Sequence, residues 1–293
     1  MPRSVLLLVN REKPKAVSAL EDIRSLIEQH SAIADEIDAD DSPIDSTMNA
    51  DLIMALGGDG TLLAQARRCV HLGLPMIGVN FGRLGFLAEY DEAALRRCAE
   101  DLLGEQALPI SERMMLSARV LRADQSAPEF SSIALNDCAI TAGPPYRVIE
   151  IELTLNGPSG PTIRGDGVIV STPSGSTAYS VASGGPIVAP GVNGISITPI
   201  AAHSLAFRPI VAPGDVSIEL KLRLGNSADG QGGTTLVIDG QVQTPLMTGD
   251  KVIIEQHNRR LRLVSNPEST FWRTLVRKMH WASSPGDHGA STC

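Results

Sequence analysis

The first third of the sequence repeats one pattern, in which a short apolar run is followed by a turn and then by apolar residues at helical spacing. The runs are residues 5–9, 51–56 and 76–79, and the helical stretches are residues 14–29, the segment from residue 62, and residues 92–103. Strands that alternate with helices in this way are typical of a parallel sheet. Residues 1–112 are therefore predicted to form an α/β domain with a parallel sheet.

The pattern changes from residue 113, where short alternating runs are separated by Gly, Pro, Asn and Asp. Examples are residues 116–121, 148–155, 216–224, 236–238 and 252–255. This spacing predicts a β-rich, β-sandwich-like domain over residues 113–266. Residues 270–281 return to helical spacing, and we expect this helix to pack back onto the first domain. The small, polar residues 282–293 are predicted to be a disordered tail.

The composition limits the partners of this chain. Its formal net charge is −8, and no basic run supplies the concentrated positive surface that nucleic-acid binding needs. No apolar stretch reaches membrane-spanning length, and the run at residues 5–9 is too short for a signal peptide. The four cysteines form no CxxC pair, which argues against a zinc site or a disulfide framework. We therefore expect a cytoplasmic protein that binds neither nucleic acid nor a membrane.

The turn Gly57-Gly58-Asp59-Gly60-Thr61 lies where a buried strand passes into a helix. Open α/β sheets bind ligands at such places, since glycines admit a phosphate and the helix offers free amides. The simpler interpretation is a tight turn in which Asp59 caps the helix. The turn matches neither the Walker A loop nor the dinucleotide fingerprint. Asp59 among phosphate-binding amides could instead act as the base in a phosphoryl transfer.

A second cluster of small and polar residues runs from Arg164 to Pro186 and follows the pattern Arg-Gly-Asp-Gly, an apolar run and a Ser/Gly tract. Such a tract can be a flexible linker. The adjoining strand and the lone Tyr179 favour an ordered site instead. Small side chains let a flat heterocycle approach the backbone, hydroxyls bond to ring nitrogens, and an aromatic ring supplies a stacking face. The tract is therefore interpreted as an adenine pocket.

The two clusters together resemble the NAD kinases. The resemblance rests on the glycine turn with residues 78–87, on residues 165–190, and on the segments 134–137, 197–211 and 239–241. The glycine turn alone also occurs in diacylglycerol and sphingosine kinases, whereas the Ser/Gly tract looks like the NAD kinases only. A lipid kinase would need an apolar groove in the β-rich half. A non-enzymatic NAD-binding regulator would not need Asp59.

The resemblance implies a transfer of the ATP γ-phosphate to the 2′-hydroxyl of the adenosine ribose of NAD. Asp59 would be the general base. Mg²⁺ or another divalent cation would enter with ATP and would have no metal-binding residues of its own. The resemblance also implies a homodimer or homotetramer, with Ala201 contributed by a neighbouring subunit.

The implied site residues fall into two groups. The ATP phosphates would be held by Gly57, Gly58, Gly60 and Thr61. NAD would be bound by Asp59, Gly60, Asn136, Asp137, Arg147, Arg164, Asp166, Thr177, Ala178, Tyr179, Ser180, Val181, Ala182, Ala201 and Gln241. The family often has Glu in place of Asp137, and the shorter side chain would reach the ribose directly or through a water.

Two kinds of polar residue are excluded from the predicted chemistry. His203 lies in an apolar, proline-flanked run and is interpreted as a structural hydrogen-bonding residue. The arginine pairs Arg67-Arg68 and Arg96-Arg97 are interpreted as solvated helix faces.

Overall fold

The computed structural model describes residues 3–45, 49–82, 85–123, 125, 127–204, 206–227 and 232–281. The chain divides into two units. The first comprises Met1–Gln65, Leu74–Ser111 and Arg262–Cys293, and the second comprises Ala66–Gly73 and Glu112–Leu261. Arg83, Leu84 and Leu205 of the motifs above, and the predicted tail 282–293, lie outside the described residues.

Helices and strands alternate in the N-terminal part of the chain, and strands predominate after Leu103. The strands are β1 Ser4–Val9, β2 Ala32–Asp38, β3 Leu52–Leu56, β4 Met76–Val79, β5 Ile110–Arg113, β6 Leu116–Leu121, β7 Phe130–Ala134, β8 Asp137–Thr141, β9 Ile149–Leu155, β10 Thr162–Gly165, β11 Gly167–Ser171, β12 Gly194–Ile200, β13 Ile210–Pro213, β14 Ile218–Leu224, β15 Thr235–Ile238, β16 Val242–Pro245, β17 Lys251–Gln256 and β18 Leu261–Val264. The helices are α1 Pro14–Ser18, α2 Leu20–His30, α3 Asp59–Cys69, α4 Glu92–Arg97, α5 Ala99–Leu103, α6 Tyr179–Ala182 and α7 Phe271–Met279, with short 3-10 helices at Val70–Leu72 and Gly175–Thr177.

The first unit contains a six-stranded sheet in the order β2-β1-β3-β4-β18-β5. The pairs β1–β2, β1–β3, β3–β4 and β4–β18 are parallel, which confirms the predicted fold class of this half. Chain order reverses between β1 and β3, because β1 leads outward to β2 and β3 leads the other way to β4. The carboxyl ends of β1 and β3 therefore border the crevice where open α/β sheets bind ligands.

The helices differ from the sequence prediction in one respect. The stretch 14–29 is two helices separated at Ala19, and the stretch 92–103 is two helices separated at Cys98. Ala19 keeps a right-handed helical conformation (φ −87°, ψ −5°), so the break between the two helices is a local distortion of the backbone. No helix in the described part of the chain is long and apolar enough to cross a membrane.

The second unit contains two six-stranded sheets, in the orders β10-β9-β14-β17-β6-β7 and β13-β12-β11-β8-β15-β16. The strand pairs in both are antiparallel, which confirms the predicted β-rich half. Alternate residues of both sheets enter one hydrophobic core, for example Ile151 and Leu220 from one sheet and Ile140 and Val168 from the other. Period-two burial of this kind is what holds two sheets face to face.

Gly78 in β4 lies where the sheet, α3 and the chain after β4 approach most closely. A Cβ at this position would lie 2.7 Å from Cδ1 of the fully buried Leu62 and 3.0 Å from Cα of Ala88. We expect Gly78→Ala to lower the free energy of unfolding by about 1–3 kcal/mol, because neither neighbour can move without disturbing the core. Urea unfolding measures this change. Gly191→Ala is the matched control, since a Cβ there meets no atom within 4 Å. Equal effects of the two substitutions would contradict the packing argument.

Candidate functional site

The glycine turn joins β3 to α3 at the carboxyl end of the parallel sheet. The amide of Gly57 donates to the carbonyl of Val79 at the end of β4 (2.9 Å). The amides of Thr61 and Leu62 donate to the carbonyl of Gly58 (2.9 and 3.1 Å) and start the helix. The Thr61 hydroxyl accepts a hydrogen bond from the side chain of Asn10, which follows β1 (2.9 Å). The turn is thus tied to both neighbouring strand ends.

The Asp59 carboxylate accepts hydrogen bonds from three consecutive backbone amides. Oδ2 accepts from Phe86 (2.9 Å), and Oδ1 accepts from Leu87 (3.3 Å) and Ala88 (2.9 Å). A Cβ at Gly85 would overlap the carboxyl group, so glycine is required there for this approach. The described hydrogen bonds of Asp59 thus lead to the chain that follows β4, and the simpler interpretation of a helix cap does not describe them.

Lys278 of α7 is the basic residue beside this carboxylate. Its Nζ lies 3.9 Å from Asp59 Oδ2 and 5.3 Å from the centroid of the Phe86 ring. The two side chains are 29% and 32% exposed, so solvent or a ligand can reach both. Sequence reasoning missed Lys278. The available signal was its position seven residues after Phe271 on the apolar side of the predicted helix.

A cavity of about 490 Å³ opens in the first unit between α1, α2 and the chain that follows β4. Its lining includes Lys15, Asp22, Asn80, Phe81 and Asp91. Asn80 belongs to the chain that follows β4, and its side-chain oxygen accepts a hydrogen bond from the Gly82 amide (3.0 Å). Hydrogen-bonding groups around one aromatic ring suit a polar heterocyclic ligand better than a lipid chain.

In the second unit, the Ser/Gly tract is ordered and hydrogen-bonded to the segment before β8. The Thr172 amide donates to the Asn136 carbonyl (2.9 Å), and the Thr172 hydroxyl donates to the Leu135 carbonyl (2.6 Å). The Ser176 hydroxyl donates to the Pro173 carbonyl (2.7 Å) and accepts from the Val188 amide (2.9 Å). These bonds bring Asn136 to the tract and argue against a flexible linker.

The predicted adenine-pocket residues differ in how far they are exposed. Tyr179 is 44% exposed, so a large part of its side chain is accessible to a ligand. Ser180 is fully buried, and its hydroxyl is paired with that of Thr198 (3.1 Å). Thr177, Ala178 and Val181 are half-buried, and Ala182 is exposed. The open part of the tract therefore combines an aromatic ring with small side chains.

Asp239 organises the segment that carries Asn136 and Asp137. Its carboxylate accepts hydrogen bonds from the amides of Leu135 (3.0 Å), Asn136 (2.7 Å) and Asp137 (3.1 Å). Arg67 also contacts it, with Nη1 at 3.0 Å from Oδ2 and only 10% of the arginine side chain exposed. Interpreting Arg67 as a solvated helix residue was therefore wrong. The helical pattern gave no sign of its acceptor, because Asp239 lies far along the chain.

Arg67 also connects Gln241 to this group, since Nη2 donates to the Gln241 side-chain oxygen (2.6 Å). Asp137 is 5% exposed, and no hydrogen bond from a described residue reaches its carboxyl group. Burial, and then the Asp239 carboxylate, raise the pKa of Asp137 to about 7. Burial also raises the pKa of Asp239, although the three amides and Arg67 act in the opposite direction. Asp137 is thus a buried carboxyl group whose hydrogen-bonding capacity is available to a ligand.

Another set of predicted residues meets at the ends of β10 and β12. The Asp166 amide donates to the Ile200 carbonyl (2.9 Å), and the His203 amide donates to the Arg164 carbonyl (2.9 Å). Ala201 stands between them with a positive φ of 45°. The Arg164 side chain pairs with Glu150 (3.0 Å). The side chains of Arg164, Asp166, Ala201 and His203 are exposed, so the structure brings the backbones together and leaves the side chains facing outward.

Arg147 lies in an exposed turn after the cis bond between Pro144 and Pro145. Its carbonyl accepts a hydrogen bond from the side chain of Asn226 (2.8 Å). Its own side chain makes no hydrogen bond or ion pair with another described residue. Within the described ranges, no hydrogen bond or ion pair joins Arg147 to the other predicted residues.

Comparisons with known proteins agree with the family resemblance of the sequence. Two family models match the chain, one described as the ATP-NAD kinase N-terminal domain at residues 5–107 and the other as the C-terminal domain at residues 135–266. An NAD kinase of Magnetococcus marinus is 40% identical over 238 residues, which are 80% of this chain and 75% of the relative. An NAD kinase of Heliobacterium modesticaldum is 40% identical over 235 residues, 80% of each chain.

Two solved structures share the fold. Yeast NADH kinase complexed with NADH has a TM-score of 0.83 and covers 96% of this chain and 88% of its own, at 23% identity. An NAD kinase from Archaeoglobus fulgidus in complex with ATP has a TM-score of 0.69 and covers 91% of this chain and 94% of its own, also at 23% identity. At this identity the likeness establishes the fold alone.

The raised pKa of Asp137 has a consequence for stability. The group ionises near pH 4 in the unfolded chain and near pH 7 in the folded chain, so the folded state binds more protons between these values. Its contribution to stability is therefore present below pH 4 and is lost as the pH rises to 7. In the absence of nucleotide, we expect the free energy of unfolding of Asp137→Asn, measured relative to that of the wild type, to rise by on the order of 2 kcal/mol when the pH is raised from 5 to 8.

Urea unfolding of both proteins at the two pH values measures this change. Because the other titrating groups are common to the two proteins, the difference between them reports on Asp137 and on its interaction with Asp239. A difference that stays the same at both pH values would refute the assignment.

Proposed function

Since the chain belongs to the ATP-NAD kinase family, whose models match most of its length, we propose that it phosphorylates NAD. The chain is an ATP-dependent kinase of that family. The proposed reaction transfers the γ-phosphate of ATP to the 2′-hydroxyl of the adenosine ribose of NAD, and the products are NADP and ADP.

The observation that carries the chemical proposal is the fixed position of the Asp59 carboxylate. Three amides and the crowding at Gly85 leave it one orientation at the start of α3. Oδ1 accepts two amide bonds and Oδ2 accepts one, so Oδ2 has more capacity to accept a proton. We assign Oδ2 as the proton acceptor. A base held in one orientation lowers the barrier because no reorganisation is needed during reaction.

In the proposed step, the 2′-oxygen attacks the γ-phosphorus in line with the leaving oxygen. The bond between the 2′-oxygen and phosphorus forms, the bond from phosphorus to the β-phosphate oxygen breaks, and the hydroxyl proton moves to Asp59. The leaving ADP keeps the electron pair of the broken bond. Little covalent participation by the protein is needed, because positioning and charge stabilisation carry most of such a reaction.

The donor phosphates are proposed to lie at the turn of Gly57, Gly58, Gly60 and Thr61. The Gly57 and Thr61 amides are already bonded within the protein, so these two residues shape the turn and do not offer their amides to a phosphate. Among the described residues, no group of three or more His, Cys, Asp or Glu side chains could hold a metal ion. We propose that Mg²⁺ enters on the ATP phosphates, where it supplies charge neutralisation.

NAD is proposed to bind the second unit through the residues that the family motifs indicate. Tyr179 supports the adenine, and Asn136 and Asp137 bond to ribose hydroxyls. The Asp137 carboxyl is 5% exposed and carries a raised pKa, and these properties favour this role because a hydrogen bond to a ribose hydroxyl would stabilise it. Asp166 and Gln241 would lie at the rim. A cytoplasmic location, and a homodimer or homotetramer in which Ala201 serves a neighbouring subunit, stay predictions.

One assay tests the reaction. The purified protein is incubated with NAD and Mg-ATP, and NADP is detected with an NADP-specific dehydrogenase. NADP formation that requires both substrates is expected. Binding of NAD without consumption of ATP would favour a regulator over a kinase.

The role of Asp59 is tested by Asp59→Asn. The amide cannot accept the proton, so we expect turnover to fall by roughly 10²–10⁴-fold. NAD affinity, measured by calorimetry, should be retained. The new NH₂ group would face a backbone amide at one of the two positions, so we also expect a loss of roughly 1–3 kcal/mol in stability.

The matched control is Asp215→Asn, which makes the same change in an exposed turn after glycine. It should keep both turnover and stability. If Asp59→Asn turns over at a rate close to the wild type, the base assignment is wrong.

A further inference from the structure

Lys278 lies on the side of α7 that packs against the rest of the first unit. Thr270 begins the helix, with its hydroxyl accepting a hydrogen bond from the Arg273 amide (3.2 Å). Leu275 is 1% exposed, and the Phe271 ring lies 6.3 Å from that of Phe86. Lys278 follows Leu275 by three residues and Phe271 by seven, so helical geometry places all three on one side. The helix is therefore fixed in the orientation that directs Lys278 toward Asp59.

The contact between Lys278 and Asp59 is close but is not a hydrogen bond. The separation of Nζ and Oδ2 is 3.9 Å, and the ammonium also lies over the Phe86 ring at 5.3 Å from its centroid. An ion pair of this length between side chains that are 29% and 32% exposed contributes little to stability. The ammonium therefore keeps donors that another anion could use.

The proposed reaction brings a second anion to this place. The γ-phosphate carries negative charge, and the carboxylate that accepts the proton repels it. The amides of Phe86, Leu87 and Ala88 are engaged by Asp59 and cannot also bind the phosphate. A cation beside the carboxylate would offset this repulsion, in addition to the Mg²⁺ that enters with ATP. Lys278 is a cation that the structure places within 4 Å of that carboxylate.

We propose that Lys278 binds the transferring phosphoryl group of the donor nucleotide. Its ammonium lies beside the Asp59 carboxylate, donates hydrogen bonds to γ-phosphate oxygens, and stays protonated throughout. This role rests on the proposed function for the identity of the donor. The contact with Asp59 in the absence of nucleotide holds the ammonium where the phosphate arrives. Lys278 is thus a second catalytic residue of the first unit, beside the base.

Binding measurements separate this role from a structural one. Calorimetry compares the affinities of wild type, Lys278→Met and Arg277→Met for ATP and for AMP. AMP lacks the β- and γ-phosphates, so it reports on binding of the nucleoside and the α-phosphate without the transferring group. We expect Lys278→Met to weaken ATP binding roughly 10- to 100-fold, the value of one charge-assisted hydrogen bond, and to leave AMP binding unchanged.

Arg277→Met is the matched control, because it removes one positive charge from the neighbouring, exposed position of the same helix. It should change neither affinity. Lys278→Arg keeps the charge and should recover part of the ATP affinity. Thermal unfolding of the Met variant should match that of the wild type, since an exposed pair at 3.9 Å adds little stability.

Steady-state kinetics supply an independent readout. In Lys278→Met we expect kcat/KM for ATP to fall on the order of 10²-fold, with a lower kcat and an unchanged KM for NAD. Equal weakening of ATP and AMP, or unchanged ATP affinity and turnover, would overturn the proposal. A wild-type protein that binds ATP but forms no NADP would defeat the proposed function. The comparison of ATP with AMP would still decide the role of Lys278.

Discussion

The first unit depends on the bond between the Asp59 carboxylate and the chain that follows β4. A carboxylate that accepts three amides fixes the relative positions of two loops that leave neighbouring parallel strands. The approach demands a residue without a side chain at position 85. This contact joins the glycine turn to the chain after β4, so each loop helps to hold the conformation of the other. The crevice at the sheet edge is consequently shaped by electrostatics as much as by packing.

The main architecture could be predicted because each element carries its own periodic signal. Strands β3 and β4 are buried along their whole length, β1 is buried from Val5 to Val9, and all three contain continuous apolar runs. Strand β2 is largely exposed and carries little apolar signal, so the sequence did not indicate it. Strand β18 pairs with β4 in the first sheet although it follows the β-rich half, and nothing local to residues 261–264 specifies that pairing.

The site was less predictable, for a related physical reason. Asp59 and the Ser/Gly tract occur in compact motifs, whereas Arg67, Asp239 and Lys278 act through partners far away in sequence. Arg67 occupies an ordinary position on a helix, and its buried role depends on an acceptor that lies beyond β15. Lys278 has the helical spacing of the apolar side of α7, but nothing in the sequence names its partner, and only the three-dimensional structure places it beside Asp59. Single-sequence reasoning finds the residues that a motif contains and misses those that tertiary contacts recruit.

Both units use a carboxylate that accepts three consecutive backbone amides and has a basic side chain nearby. The Asp239 side chain is buried and its basic partner Arg67 lies 3.0 Å from it, so this carboxylate is not accessible to a ligand. Asp59 is one-third exposed, and Lys278 stands 3.9 Å away, so both retain capacity for further bonds. Burial and a direct bond make the first arrangement structural, because separating its charges would leave one of them unpaired in the interior. Exposure and the wider gap make the second one reactive, because a phosphate can enter beside the lysine without breaking the hydrogen bonds that orient the carboxylate.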